Sequence, residues 1–221
     1  MRYQHLWANG KTIPFTPGKA VCVGRIYADH AKELNNPVPT KPLLFIKPFT
    51  SMTPLDSPLT LPAGEQACHF ETELTVLIGK PLTKASPQQA QQAIAGIGLG
   101  LDLTLRGLQD ELKKKGHPWE LAKAFDNSCP LSAFVEADSI DNIEDTEYKL
   151  WLNGELRQHG KTKQMIMPIY QLLAYCSQHF TLLPGDVVMT GTPAGVGVLN
   201  PGDALRFQLE DVLELQTEVQ S

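Results

Sequence analysis

Apolar and polar positions alternate with a period of two over Cys68–Val76 and again over Gly98–Leu105, and that alternation predicts two strands. In the first, His69, Glu71, Glu73 and Thr75 share one face, while Phe70, Leu74 and Val76 take core positions. In the second, leucines fill one face and Asp102 lies with Thr104 and glycines on the other. Further short strands are predicted at Ala20–Val23 and Leu43–Lys47, and Asn9-Gly10 marks a hairpin within a small N-terminal β element over residues 1–20. Helical signals are fewer. A short helix is expected over Tyr27–Leu34, stopped by Asn35-Asn36-Pro37. A second is opened by the capping pair Ser86-Pro87 and runs over Gln88–Ala95. Leu105, Leu108 and Leu112 recur at helical spacing and leave Arg106 and Gln109 together on another face. Ile169, Leu172, Leu173, Cys176 and Phe180 form the core stripe of a last helix. Seven prolines between Pro37 and Pro62 exclude long helices there, and Trp119–Phe134 reads as loop and short strand. The final third is β-rich, with a hairpin at Asn153-Gly154 and Pro-Gly-Asp turns at 184–186 and 201–203. The pattern is that of an α+β, β-rich fold in a single domain over residues 1–221.

With 221 residues and 42% hydrophobic content, the chain can bury a substantial core. Its net charge is −5 and its longest basic run is Lys113-Lys114-Lys115, so no nucleic-acid footprint is expected. No apolar run is long enough to span a bilayer, and the first residues lack the apolar stretch of a signal peptide; a cytoplasmic protein without membrane partners is expected. Cys22, Cys68, Cys129 and Cys176 are widely spaced and read as reduced, buried thiols. The glycine-rich stretch Thr190–Gly197 lacks the Lys-Ser/Thr of a phosphate loop and is not read as a nucleotide cradle.

The chemistry concentrates in three acids. Glu71 and Glu73 point the same way, and Asp102 stands between Leu101 and Leu103, where an unpartnered charge is costly. Converging carboxylates need retained protons or a cation, and an all-oxygen donor set favours Mg²⁺, Mn²⁺ or Ca²⁺. The alternative is a pair of solvated carboxylates on an exposed strand face.

Six motifs in order, Gly24-Arg25-x-Tyr27-Ala28-Asp29-His30, Phe45-Ile46-Lys47-Pro48, His69-x-Glu71-x-Glu73, Leu101-Asp102-x-Thr104-x-Arg106-x-x-Gln109, Ala122-Lys123-x-Phe125-Asp126 and Thr190-Gly191-Thr192-Pro193, resemble the fumarylacetoacetate hydrolase family. Length places the resemblance among its short acylpyruvate hydrolase and oxaloacetate decarboxylase members. The resemblance implies that Glu71, Glu73 and Asp102 hold Mg²⁺ or Mn²⁺, which polarises a small 2-oxo acid. It also implies that the short helix is a lid on which Glu33 orients His30 as a base, and that Lys123 contacts developing negative charge. Arg25, Lys47, Arg106, Gln109 and Thr192 are then expected to position the substrate. Bland readings exist for several: His30 and Glu33 as a surface pair, Arg106 paired with Asp110, and Lys47 as a charge partner behind the metal carboxylates. The implied assembly is a homodimer. The leading expectation is hydrolysis of a C–C bond in acylpyruvates with release of pyruvate. The alternatives are oxaloacetate decarboxylation, keto-enol tautomerisation, or a non-catalytic protein that binds metal and a 2-oxo acid.

Two positions depart from close relatives. Ile26 stands where asparagine is frequent and is expected to alter contacts at the lid hinge. Phe70 stands where a second histidine is frequent and is expected to affect packing rather than metal binding. His69 is open between a supporting role at the metal and a structural one.

Overall fold

The computed structural model describes residues 3–33, 41–64 and 67–220. Its largest layer is a mixed eight-stranded sheet. The path runs Leu43–Lys47, Ala20–Gly24, Val187–Met189, Thr72–Ile78, Ile94–Leu101, Cys129–Leu131 and Met52–Pro54, with Val135–Glu136 paired beside Ile94–Leu101. Ala20–Gly24 lies parallel to Val187–Met189, and Met52–Pro54 parallel to Cys129–Leu131, so both join segments far apart in sequence. A four-stranded antiparallel sheet contains Glu155–Lys161, Glu147–Leu152, Ala204–Leu209 and Leu213–Glu218. A three-stranded one contains Gly197–Val198, Cys68–Phe70 and Thr104–Leu105. The fold is α+β and β-rich, as the pattern predicts.

The large sheet is buried on both faces, which is why its strands read as nearly continuous apolar runs. Val21, Val23, Leu74, Val76, Leu99 and Leu101 enter one cluster with Leu150, Phe207 and the inner stripe of the helix Ile169–His179. Their sequence neighbours Ala20, Cys22 and Leu77 enter a second with Ile13, Met52, Leu131, Phe134 and Met189. The N-terminal segment covers that second face. Its β character is limited to single bridges, Leu6 to Thr12 and Trp7 to Phe134, around the Asn9-Gly10 turn, where Gly10 has a φ of 82°.

The helix after Ser86 begins where the sequence says and ends sooner. Ser86 Oγ accepts from Gln89 N (3.3 Å) while Gln89 Oε1 accepts from Ser86 N (2.8 Å), a reciprocal cap on Pro87–Gln92. The expected extension to Ala95 fails because Ile94 already pairs with Ile78, and Ala93 O accepts from Gly79 N. The lid-type helix spans Ala28–Glu33; its expected end at Leu34 and the Asn35-Asn36-Pro37 stop lie outside the described residues. Helix Arg106–Lys115 stops at Gly116, which is left-handed at φ 66°. A short helix, Glu120–Lys123, stands inside the stretch read as loop and strand. All four cysteines are free and buried, and no helix among the described residues is long and apolar enough to cross a membrane.

Candidate active site

The two stretches expected as unbroken strands are each interrupted where their acids stand. Cys68–Phe70 and Thr72–Ile78 belong to different sheets and part at Glu71; Ile94–Leu101 and Thr104–Leu105 part at Asp102-Leu103. The pair stays antiparallel across the break, with His69 opposite Thr104 on one side and Glu73 opposite Gly100 on the other. At the break Asp102 N donates to Glu71 O (2.8 Å), while Leu103 N turns to Ser128 O (3.0 Å). The paired interruption gathers Glu71, Glu73 and Asp102, each 5% exposed or less, with one carboxylate oxygen from each within 4.8 Å of the others.

Three cations surround them. Lys123, at the end of its short helix, donates to Glu71 Oε2 (2.8 Å), Asp102 Oδ2 (2.6 Å) and Thr104 Oγ1 (2.7 Å). Arg106 bonds Glu71 Oε1 through Nη2 and Gln109 Oε1 through Nη1 (2.8 Å). Lys47 is fully buried and does not line the cleft; its place is behind the acids. Its ammonium lies 2.9 Å from Asp102 Oδ1, but its hydrogen bonds go to Leu103 O (3.3 Å), Ser128 O (3.0 Å), Ser128 Oγ (3.1 Å) and Lys123 O. Asp102 Oδ1 therefore has a positive charge beside it and no hydrogen-bond donor.

The acids are electrostatically unequal. Burial would raise the Glu71 carboxyl, but Lys123 and Arg106 outweigh it and hold the group well below the usual range. Among the described residues the close donor to Glu73 is the Gly191 N–H (2.7 Å). Burial, with Asp102 and Glu71 alongside, pushes its carboxyl well above the ordinary value. Burial would likewise lower Lys123, and the adjoining Asp102 and Glu71 reverse this and raise it. A buried all-oxygen triad with one acceptor lacking a donor fits a hard divalent cation such as Mg²⁺ or Mn²⁺.

His30 is buried and faces the same cleft from the short helix, its Nδ1 3.2 Å from Glu33 Oε2. Glu33 Oε1 accepts from Gly195 N (3.0 Å), tying the helix to the Thr190–Gly197 loop. That loop is itself held by a residue the sequence did not reveal. Gln158 Oε1 accepts from Thr72 N (2.9 Å), and its Nε2 donates to Thr192 Oγ1 (2.8 Å) and Pro193 O (2.9 Å). Thr192 also donates to Thr72 O (2.8 Å).

Arg25, His30, Glu71, Glu73, Asp102, Arg106, Gln109, Lys123 and Thr192 thus line one narrow cleft, walled on its apolar side by Leu43, Phe45 and Trp119. Arg25 holds a left-handed backbone, φ 61°, at the turn leading to the helix. Ile26 is buried against Gly191, where an added Cβ would meet Ile26 Cγ2 at 2.4 Å; it packs just before the helix Ala28–Glu33 and does not line the cleft. Phe70 is in the core, as strand alternation predicts. His69 is half-buried outside the cleft, with no hydrogen-bond partner at Nδ1, and burial and Arg106 lower its pKa.

The profile of the family described as fumarylacetoacetate (FAA) hydrolase C-terminal matches residues 19–220. The oxaloacetate tautomerase YcgM of Escherichia coli (strain K12) is 50% identical over 204 residues, 92% of this chain and 93% of that one. A solved structure from Yersinia pestis CO92 superposes with a TM-score of 0.96 at 45% identity, covering 98% of this chain and all of the other. The fumarylpyruvate hydrolase of Pseudomonas aeruginosa, solved with Mn²⁺ and pyruvate, superposes with a TM-score of 0.92 at 32% identity, covering 99% and 96%.

Proposed function

Since the chain belongs to the fumarylacetoacetate hydrolase family, we propose that it is a divalent-metal-dependent tautomerase that interconverts the keto and enol forms of oxaloacetate. The observation that carries the reading is the convergence of three buried acids, a lysine and a lid histidine on one small cleft, in a chain half identical to an oxaloacetate tautomerase along nearly its whole length. Greater identity to that enzyme than to the fumarylpyruvate hydrolase moves tautomerisation ahead of the acylpyruvate hydrolysis expected from sequence.

Glu71, Glu73 and Asp102 would hold the cation. Bound there, Mg²⁺ or Mn²⁺ supplies a Lewis acid that lowers the cost of negative charge developing on the 2-oxo oxygen. The chain's own groups do the rest. Lys123 keeps a positive charge beside Glu71 and Asp102 in a water-poor site, where fixed charge is most effective. Arg106 and Gln109 hold the acid end of the substrate. Tautomerisation removes a hydroxyl proton and returns one to C3, with no net gain or loss. An imidazole does both in turn near neutral pH, and the Glu33 contact at Nδ1 leaves His30 Nε2 for that exchange. Closure of the lid helix would keep bulk water from the enol.

The test is the decay of enol-oxaloacetate absorbance with and without Mg²⁺ or Mn²⁺, pyruvate release being followed in parallel. The expected result is metal-dependent loss of enol absorbance without stoichiometric pyruvate, abolished by Glu71→Ala. The His30–Glu33 pair could equally activate water, so acylpyruvate hydrolysis is the second reading; pyruvate released from acetylpyruvate or fumarylpyruvate at a higher kcat/KM would put it first.

A further inference from the structure

Helix Arg106–Lys115 presents Arg106, Gln109 and Lys113 at spacings of three and four, so they form one row along the cleft. The row is bonded end to end: Gln109 Oε1 accepts from Arg106 Nη1 at 2.8 Å and from Lys113 Nζ at 3.2 Å. Helical side chains lean toward the N-terminus, which brings the Lys113 stem back over the cleft rather than out past the helix end. Its ammonium sits 5.3 Å over the Trp119 ring, another wall residue, which favours this position over free solvation. Its neighbour Asp110, 3.6 Å away, is more than half exposed, so that pairing is screened.

Charge adds a second line of argument. Arg25, Arg106, Lys113 and Lys123 line the cleft beside the three acids, and a divalent ion would add two positive charges to them. Arg106 and Lys123 already share Glu71 between them, whereas Lys113 bonds none of the three acids. Burial first, then Arg106 and more weakly Arg25, push the Lys113 pKa down against the opposing effect of Asp110, and a bound anion would offset that cost.

We propose that Lys113 binds the distal carboxylate of a dicarboxylic 2-oxo acid and is a specificity-determining residue of this cleft. The proposal rests on the oxaloacetate reading for its substrate. Arg106 marks the inner end of the row, next to the metal acids, and Lys113 the outer end, two helical turns along. A ligand with carboxylates at both ends satisfies both; a monocarboxylic 2-oxo acid leaves the outer end empty.

Calorimetric titration of the Mn²⁺-loaded protein with pyruvate and with oxaloacetate, which adds the second carboxylate, tests this in wild type, Lys113→Met and Lys113→Arg. Methionine keeps an apolar stem on Trp119 and removes the charge. Wild type is expected to prefer oxaloacetate. Lys113→Met should weaken oxaloacetate about tenfold or more while leaving pyruvate within about twofold, the scale of one charge-assisted hydrogen bond, and Lys113→Arg should restore the preference. In turnover, KM should rise with kcat nearly unchanged. Equal weakening of both ligands, or of neither, would overturn the assignment. If the binding preference is found but no tautomerisation, the catalytic reading fails and the Lys113 assignment stands; if tautomerisation is found and Lys113→Met keeps the wild-type preference, the reverse holds.

Discussion

Lys123 occupies the ground a divalent cation would share, since its three hydrogen bonds end on Glu71, Asp102 and Thr104. Removing it should therefore separate metal binding from catalysis. In Lys123→Met the buried acids lose one compensating charge, and breaking such a pair costs about 3–5 kcal/mol, toward the lower end here because Arg106 and Lys47 remain. The same change takes a repelling charge away from an incoming cation. Mn²⁺ should bind about tenfold tighter and raise the melting temperature more than in wild type, while turnover falls by at least about a hundredfold. Mn²⁺ binding that is weaker than wild type would show that Lys123 organises the acids rather than competes for them. The acids were legible because charges set in clean apolar alternation have few uses. The partners of Lys123 were not, because its sequence neighbours are uncharged and its contacts come from residues 71, 102 and 104; only the motif around it pointed to the site. Gln158 was invisible for a related reason. It stands in the polar run Glu155–Lys161, which reads as an exposed edge, yet it is 1% exposed and pins the Thr192 loop to the start of the strand Thr72–Ile78.

On the short helix Ala28–Glu33 one carboxylate makes two contacts. Glu33 Oε2 faces His30 Nδ1, and Oε1 accepts from Gly195 N. Glu33→Ala removes both contacts without touching the acids. It should lower kcat about tenfold or more through a misoriented His30, speed amide exchange over residues 28–33, and leave Mn²⁺ affinity unchanged. Glu33→Gln, whose amide oxygen can still accept from Gly195 N, should keep slow exchange while losing rate. If exchange in Glu33→Ala matches wild type, the Gly195 contact does not hold the helix. Helical propensity and a proline stop located this helix, the Ser86-Pro87 cap located the next, and period located both acid-bearing stretches. They did not show that the latter two break at Glu71 and at Asp102-Leu103, because the apolar positions keep their alternation through each interruption. The break is enforced from outside, where Ser128 O takes the Leu103 N–H and the three-stranded sheet takes the residues beyond.

At the scale of the whole molecule, the large sheet needs two covers. The helix Ile169–His179 and the four-stranded sheet supply one; the N-terminal segment supplies the other through Ile13 and Phe15 against Phe134 and Met189. The sequence marked residues 1–20 as a β element but gave no sign of what it covers, because its partners, Phe134, Gly185 and Met189, are distant in sequence. His5 is the tie. Buried and edge-on to Phe134, it donates through Nε2 to Gly185 O (3.0 Å), and Tyr3 Oη lies 3.1 Å from its Nδ1. Burial lowers its pKa below the ordinary 6.5, and the Gly185 bond and Asp186 only partly offset this. The unfolded chain therefore takes up a proton at a higher pH than the folded one. The stability tied to neutral His5 is full above about pH 6.5 and is lost as pH falls through that value toward the lowered folded pKa. Thermal melts of the wild type should accordingly drop between pH 7 and 5. His5→Gln retains a side-chain donor for Gly185 O and cannot titrate in that range, so its melting temperature should start lower and fall less steeply, His69 adding to the slope that remains and the raised carboxyl of Glu73 opposing it. Parallel slopes in the two proteins would place the acid sensitivity elsewhere and leave the N-terminal tie insensitive to pH.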